Sequence, residues 1–376
     1  MSVSYGGSSI TFEDGSIVSS GSAGFKNKII NGAMMIDQRN AGASLTITTN
    51  AQYSLDRWKS YMTQASKFSV RQMESSNTAA SNYESSSAPT GFTNSIKITS
   101  ASAYSVTSSD YFTIGQNIEG YNIADLDWGK ATAKTVTLSF WVKSSLIGTF
   151  GAALGNNLGT RGYPFTYTIN VANTWEYKTV TITGDTTGTW ETGFYNGIVL
   201  YMSLGTGATY SGTAGAWTGS FLTSATGATS VVGTSGATFY LSGVQLEKGT
   251  TASSFEFRSY NKELMLCQRY YEKSYDITTT PGSTPSNNEG VWLFRGSGVD
   301  SRDYVSFQYK QSKRASPTVT IYSVTGASGF FRSAEGSTNH VAQVNGGGVN
   351  SSTMQSNSTA PTNNQCGFLW TASAEL

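Results

Sequence analysis

The sequence predicts an all-β protein: an antiparallel jelly-roll sandwich, then a short helix, then a second, smaller β-sandwich. Three observations carry that expectation. First, only 12% of the 376 residues are charged, whereas Gly, Ser and Thr are abundant and Tyr alone contributes 21. Such a composition suits many short strands joined by small-residue turns, with aromatic and β-branched side chains filling the inner faces. Second, apolar residues recur with period two in segment after segment and no crossover helices intervene, which implies antiparallel sheets packed face to face. Third, the stretch 237–274 reads as a strand, a turn, a short return strand and then the one segment with a helical period, and it divides the β segments into a longer and a shorter set. Disorder would require few aromatics and a high net charge; the net charge here is +1 and 12% of residues are aromatic.

Taken in order, residues 1–24 hold a short strand around Ile10 and Phe12, an Asp14-Gly15 turn, Ile17-Val18 and a Ser/Gly tail. A strand-turn unit this small cannot fold alone, so it is expected to be an attachment or trimerisation arm. The jelly-roll is expected over residues 25–260, with strands at 28–36, 45–48, 57–63, 67–72, 95–99, 111–114, 135–143, 163–171, 176–182, 197–204 and 238–246. The clearest is TVTLSFWVKSS, where Val136, Leu138, Phe140 and Val142 face one way and Thr137, Ser139, Trp141 and Lys143 the other. The Gly/Ser/Thr/Ala-rich residues 205–236 read as a long surface loop.

Phe239, Leu241 and Val244 give a strand with one face inward, interrupted at Gly243 and closed by a Glu247-Lys248-Gly249 turn. Phe255 and Phe257 alternate on a short return strand. Leu264, Cys267 and Tyr271 then recur at helical spacing, with Asn261 as N-cap and Glu263 suiting the positive end of the helix dipole. A connecting helix is therefore expected over 261–274. A distal sandwich follows over 275–376, with strands at 291–295, 304–309, 318–322, 342–344 and 368–374.

Charge is scattered without a basic run, so nucleic-acid or anionic-membrane binding has no electrostatic support. No apolar run approaches about 18 residues, so no membrane insertion is expected. The start MSVSYGGSSITFEDG lacks the basic and apolar regions of a signal peptide, which implies synthesis in a cytoplasm. Cys267 and Cys366 cannot build a disulfide framework and are expected as small buried hydrophobes. His340 is the single histidine and is expected in a solvent-exposed loop. No nucleophile elbow, zinc-ligand spacing or phosphate-cradling glycine motif occurs. Paired carboxylates are the remaining catalytic option, with Asp37, Asp56, Asp125, Asp127, Glu176 and Glu191 as candidates, but none is marked by its neighbours. No catalytic residue and no metal ligand is assigned.

Aromatic side chains are more suggestive. Tyr121, Trp128, Trp175, Trp190 and Trp217, together with Trp141, fall at strand ends or on outward strand positions. A flat ring stacks on the apolar face of a sugar while hydroxyl and amide neighbours bond its rim, so these are candidate glycan-facing residues. The competing reading for each is core or subunit interface.

Several stretches resemble known families. FKNKIINGAMMIDQR followed by YSLDRWKSY is similar to the opening of jelly-roll domains in tailed-phage tail fibre proteins, through Asn31-Gly32, Gln38-Arg39 and Asp56-Arg57-Trp58. TVTLSFWVKSS and FYLSGVQLEKG resemble the central and closing strands of CenC-like carbohydrate-binding modules. The run Cys267-Gln268-Arg269-Tyr270-Tyr271 looks like the exit helix of those phage proteins, SITFEDGS like their strand-turn segments at a three-fold axis, and ASPTVTIYS and FLWTASAEL like strands of their distal sandwich. The closing strand of the modules usually carries an Asp pair, one of which can hold a structural calcium. Here those positions are Ser242 and Gly243, which puts a calcium site in doubt and leaves no cofactor expected. No sugar-binding residue of the family carries over to a particular position.

The resemblance implies a non-enzymatic virion protein, a tail fibre or similar appendage mediating attachment to host-surface glycan. It implies a homotrimer bound through residues 1–24 to other tail, neck or baseplate proteins. A purely structural neck, baseplate or capsid decoration protein is the first alternative, and a capsule-degrading depolymerase the second.

Overall fold

Period-two alternation does what it predicts on the central strand: Val136, Leu138, Phe140 and Val142 of Val136–Ser144 are all fully buried. This strand sits second in a six-stranded antiparallel sheet that runs Glu176–Ile182, Val136–Ser144, Thr238–Lys248, Asn94–Ser100, Phe68–Glu74, Leu45–Thr46. A second six-stranded sheet faces it, in the order Gly162–Ile169, Gly148–Asn156, Asn196–Thr206, Tyr111–Glu119, Trp58–Met62, Gln52–Leu55. Inward residues of both sheets, among them Trp58, Ile98, Phe112, Phe140, Leu200 and Phe239, form one core. The fold is all-β, an antiparallel jelly-roll sandwich followed by a short helix and a second, smaller β-sandwich. In this computed structural model, residues 25–78, 80–298, 302–334, 338–356 and 364–376 are described in full. Of residues 1–24 only the backbone of three short antiparallel strands is described, Ser4–Gly6, Ser9–Thr11 and Ile17–Ser19, and the trimerisation role expected there lies outside the described residues.

The interruption at Gly243 is a β-bulge. Ser139 pairs with Gln245 but Trp141 pairs with Ser242, so Thr238–Lys248 carries one extra residue, and Gly243 absorbs it at φ +58°. That residue resets the alternation, so Leu241 and Val244 both point inward despite their odd spacing.

Several expected elements differ. Residues 28–36 form no strand, because Asn31 and Met34 both take φ 58°, which a ladder cannot accommodate. Asn31 supplies the missing partners through its own amide, accepting from Ile36 N (2.9 Å) and donating to Ile36 O (2.8 Å) and Asp56 O (3.0 Å). Gly32 presses on the bulged strand so closely that a Cβ would stand 2.2 Å from Val244 O. Residues 255–257 are irregular, and residues 205–236 are no mere surface loop: Val231 and Val232 are fully buried in the core. Strands at Gln52–Leu55 and Gly148–Asn156 complete the second sheet without having been expected.

The helix is Tyr260–Gln268, flanked by Ser259 and not by Asn261 at the N-cap, with no side-chain cap bond. Glu263 turns back to accept from Asn31 N and pairs with Arg258. Tyr271 belongs to a strand, Tyr271–Lys273, of the distal sheet. There Gln365–Ser373 is central and pairs with Tyr271–Lys273, Trp292–Arg295, Thr318–Ser323 and Phe330–Ser333. The sheet continues through Asn339–Gly347 and Ser351–Ser356 to Tyr304–Gln308, around a core that includes Phe307, Phe331, Phe368 and Trp370. His340 is not in a loop: it pairs with Phe331 across two strands, half-buried, its ring stacked on the phenyl at 5.1 Å because cross-strand neighbours on one face meet. Cys267 and Cys366 are both free and buried.

The two sandwiches are joined by a buried ionic hub. Arg57 is ion-paired with Glu375, donates to Asn117 O and lies 3.6 Å from the Tyr270 ring. Arg39 reaches the same Glu375 at 2.7 Å and stacks on Tyr271 at 3.8 Å. Arg269 grips Glu119 with two hydrogen bonds of 2.9 and 2.6 Å, and Tyr270 donates to the same carboxylate. Burial works against the charge on Arg57, but Glu375, with smaller help from Tyr270, Tyr53 and Cys267, outweighs it and raises its pKa above the ordinary value. Removing one partner of such a pair leaves an uncompensated buried charge. E375Q is therefore expected to lower stability by about 3–5 kcal/mol in denaturant unfolding; a loss below about 1 kcal/mol would show that Arg57 is compensated elsewhere.

Candidate functional site

The outer face of the first sheet gathers side chains that the core does not use. Trp141 projects outward from Val136–Ser144, and its cross-strand partner Tyr177 stands beside it with ring centroids 5.3 Å apart. Phe92, Phe255 and Phe257 arrive from two separate segments and pack on one another at 4.8–5.1 Å. With Ser139, Gly243, Thr90 and Ser254 these aromatics line an open groove of about 400 Å³. Tyr177 is 44% and Phe257 59% exposed. No Lys, Arg, Asp or Glu lines it. Gly243 keeps it open: a Cβ there would lie 2.7 Å from Phe92 Cζ and 3.1 Å from Trp141 Cδ1.

Two sets of polar contacts hold the groove's borders. Glu84 accepts from Lys97 Nζ at 3.0 Å and from the Tyr240 hydroxyl at 3.0 Å. Lys143 Nζ (2.7 Å) and Trp175 Nε1 (3.1 Å) both donate to Ser86 O. These contacts fasten the segment leading to Thr90–Phe92 onto the sheet. Beyond the bulge, Gln245 accepts from Glu256 N at 2.8 Å, while Glu247 accepts from Ser253 N (2.8 Å) and Ser253 Oγ (2.6 Å). Glu247 of the Leu-Glu-Lys-Gly close is thus what positions the Ser254–Phe257 border.

The aromatics expected from sequence divide three ways. Trp128, Trp190 and Trp217 come together in a cluster of edge-on rings 4.7–5.4 Å apart. Trp128 and Trp190 are 5% and 7% exposed, and all three indole N–H groups donate to backbone carbonyls, of Lys134, Thr187 and Thr183. Strand-end aromatics are drawn there to plug the edge of the core, which encloses Trp128 and Trp190 and leaves Trp217 half-buried. Trp175 is half-buried as a clamp on the Ser86 segment. Tyr121 is 62% exposed on the Gly120–Asn122 turn and lies outside the groove. Trp141 stands where its outward strand position placed it. Tyr177 was findable as its cross-strand partner, whereas Phe92, Phe255 and Phe257 meet only through the packing of two irregular segments.

The carboxylates considered for catalysis are employed elsewhere. Asp125 pairs with Lys28 and Lys248, Asp127 with Lys130, and Glu176 with Lys178. Glu191 accepts from Gly193 N at 2.6 Å. Asp37 accepts from Asn40 N and Gly42 N. Asp56, pushed up to about 6 by burial, accepts from Gln38 inside the hub, fully enclosed. Ser242 donates its hydroxyl to Asn94 O at 2.7 Å. Among the described residues no group of three or more His, Cys, Asp or Glu could hold a metal ion.

No protein-family model matches this chain, and no curated protein sequence matches it. Among solved structures it is similar to the enzymatically active domain of bacteriophage CBA120 tailspike protein 4, at 12% identity and a TM-score of 0.30, covering 59% of this chain and 21% of that one. It is similar to a family 61 carbohydrate-binding module in complex with β-1,4-galactotriose, at 10% identity and TM-score 0.28, covering 54% and 100%. A family 11 carbohydrate-binding module from Clostridium thermocellum in complex with a mixed-linked tetrasaccharide follows at 12% identity and TM-score 0.25, covering 55% and 97%.

Burial works to raise the Glu84 carboxyl, but Lys97, then Tyr240 and Lys143, outweigh it and hold it below its usual value of 4.5. A carboxylate with a lowered folded pKa stabilises above its unfolded pKa and loses that contribution as pH falls through the folded one. The Ser86–Phe92 border is accordingly expected to stay docked at neutral pH and to loosen as pH drops below about 4.5. Hydrogen exchange of residues 84–92 at pH 7 checks the same anchor: E84Q should raise it selectively, and an unchanged exchange profile would contradict the anchoring role.

Proposed function

We propose that this chain is a non-enzymatic, glycan-binding protein of a tailed-phage particle, a tail fibre or similar appendage that attaches the virion to the host surface. The observation that carries the glycan reading is the open, uncharged groove over Trp141 and Tyr177. Exposed rings there offer flat apolar faces to a pyranose, and Thr90 and Ser254 supply exposed hydroxyls at its edge. A ligand matched to this lining is neutral. The absence of any carboxylate among the lining residues supports binding without cleavage, since glycoside hydrolysis usually uses a pair. The virion context is supported by the sequence resemblance of the Asn31-Gly32 opening and the Cys267–Tyr271 run to phage tail fibre proteins, and three-fold assembly by the strand-turn arm of residues 1–24, which is too small to fold alone.

Aromatic contacts of this kind contribute about 0.5–1.5 kcal/mol each beyond area burial, so a single groove binds weakly. Three copies on one particle raise the effective affinity without new contacts. This 376-residue chain should therefore have a solution mass of three times 40.0 kDa; a monomer would overturn the trimer.

The groove is tested by screening neutral oligosaccharides and repeating the best binder with W141A and Y177A. Each substitution should weaken binding about tenfold or more, while the outward position of both rings keeps the unfolding midpoint near that of the parent. Unchanged affinity in both variants would remove the groove from the account, and release of reducing sugar would replace a binder with a hydrolase.

A further inference from the structure

The distal sandwich carries a cleft of about 260 Å³ that the groove on the jelly-roll does not explain. Its floor is Gly367 on the central strand. A Cβ at that position would meet Val291 Cγ1 at 2.9 Å, Val324 Cγ1 at 3.2 Å and Leu293 Cδ2 at 3.3 Å, so three apolar side chains surround a floor that has none of its own. Leu293 is 56% exposed, as an apolar wall open to a ligand would be.

Arg332 stands directly across from Gly367 in the strand register and lines the same cleft. Its guanidinium donates to Asn339 Oδ1 at 3.3 Å, and among the described residues no carboxylate forms an ion pair with it. This sets it apart from Arg39, Arg57 and Arg269, each of which faces a glutamate. A guanidinium carries five N–H donors in a planar fork that matches an oxyanion with two parallel hydrogen bonds. One such group beside apolar walls selects a ligand with one charged end and one apolar face. The volume is just below the roughly 300–1,000 Å³ of drug-sized pockets, which suits a single ring with its substituent.

We infer that this cleft is a second binding site, for an anionic saccharide: a pyranose bearing a carboxylate or a phosphate, its oxyanion on Arg332 and its apolar ring face against Val291, Leu293 and Val324. The protein then reads a glycan at two chemically distinct places, neutral sugar on the jelly-roll and acidic sugar on the distal sandwich.

Calorimetric titration of the full chain with methyl glucuronide, glucose 6-phosphate and neutral methyl glucoside tests the site. At least one anionic sugar should bind about tenfold more tightly than methyl glucoside, corresponding to one charge-assisted contact. Which one does so separates carboxylate from phosphate recognition. R332Q should abolish that preference and R332K should keep part of it, with melting temperatures unchanged because Arg332 is half-exposed. Equal binding of all three sugars, no binding of either anionic sugar, or an R332Q variant that retains the preference would overturn the site. Acetate and inorganic phosphate binding as tightly as the sugars would overturn its saccharide part. W141A should leave this preference intact, so that failure here and failure of the jelly-roll groove are told apart.

Discussion

Arg57 carries a full charge at a position with almost no access to water, and Glu375 is what makes that tolerable. A buried guanidinium is held only where a carboxylate and further acceptors replace its hydration, and here the carboxylate arrives from the far end of the chain. The pairing therefore requires the distal sandwich to return to the jelly-roll. Glu375 also satisfies Arg39, and the Cys267–Tyr271 run adds Arg269 and Tyr270 on Glu119. Further out, Lys313 and Glu272 form a second fully buried pair, with Lys313 also donating to Gln268 O at the end of the helix. The Cys267–Tyr271 run is thus a structural joint, which fixes the groove on one sandwich and the cleft on the other in a defined relation.

The same economy shapes the jelly-roll's outer face. A one-residue bulge at Gly243 lets both Leu241 and Val244 stay in the core, and its missing side chain leaves room between Phe92 and Trp141. Gln245 and Glu247, past the bulge, turn outward and hold the Ser253–Phe257 segment. One irregularity in one strand therefore links core packing to the shape of the candidate site.

Legibility from sequence followed the physics of each element. Strands with an apolar inner face announced themselves by alternation, as in Val136–Ser144, whose bounds held to within a residue, whereas Tyr111–Glu119 was expected only over 111–114 because its Gly115-Gln116-Asn117 run breaks the apolar pattern. Residues 28–36 misled because their apolar content mimics a strand, while the deciding fact is a positive φ at Asn31 and a close approach at Gly32 that no periodicity encodes. Gly148–Asn156 escaped because its outward positions Gly151, Ala153 and Gly155 carry no polar signal to alternate with the inward Phe150, Ala152 and Leu154. Trp128, Trp190 and Trp217 were read one by one as strand-end candidates; that they meet in one cluster depends on how strand ends converge in space. The groove's wall of Phe92, Phe255 and Phe257 depends on two loops meeting, which sequence spacing does not record.

The central claim is that a neutral glycan lies across the first sheet's outer face, on Trp141 and Tyr177. The direct measurement is a crystal structure of the full chain grown with a neutral oligosaccharide that it binds in solution. The account predicts sugar density stacked on those two rings, bordered by Phe92 and Phe257. Density for that sugar elsewhere on the chain, with the groove free of it, would contradict the account.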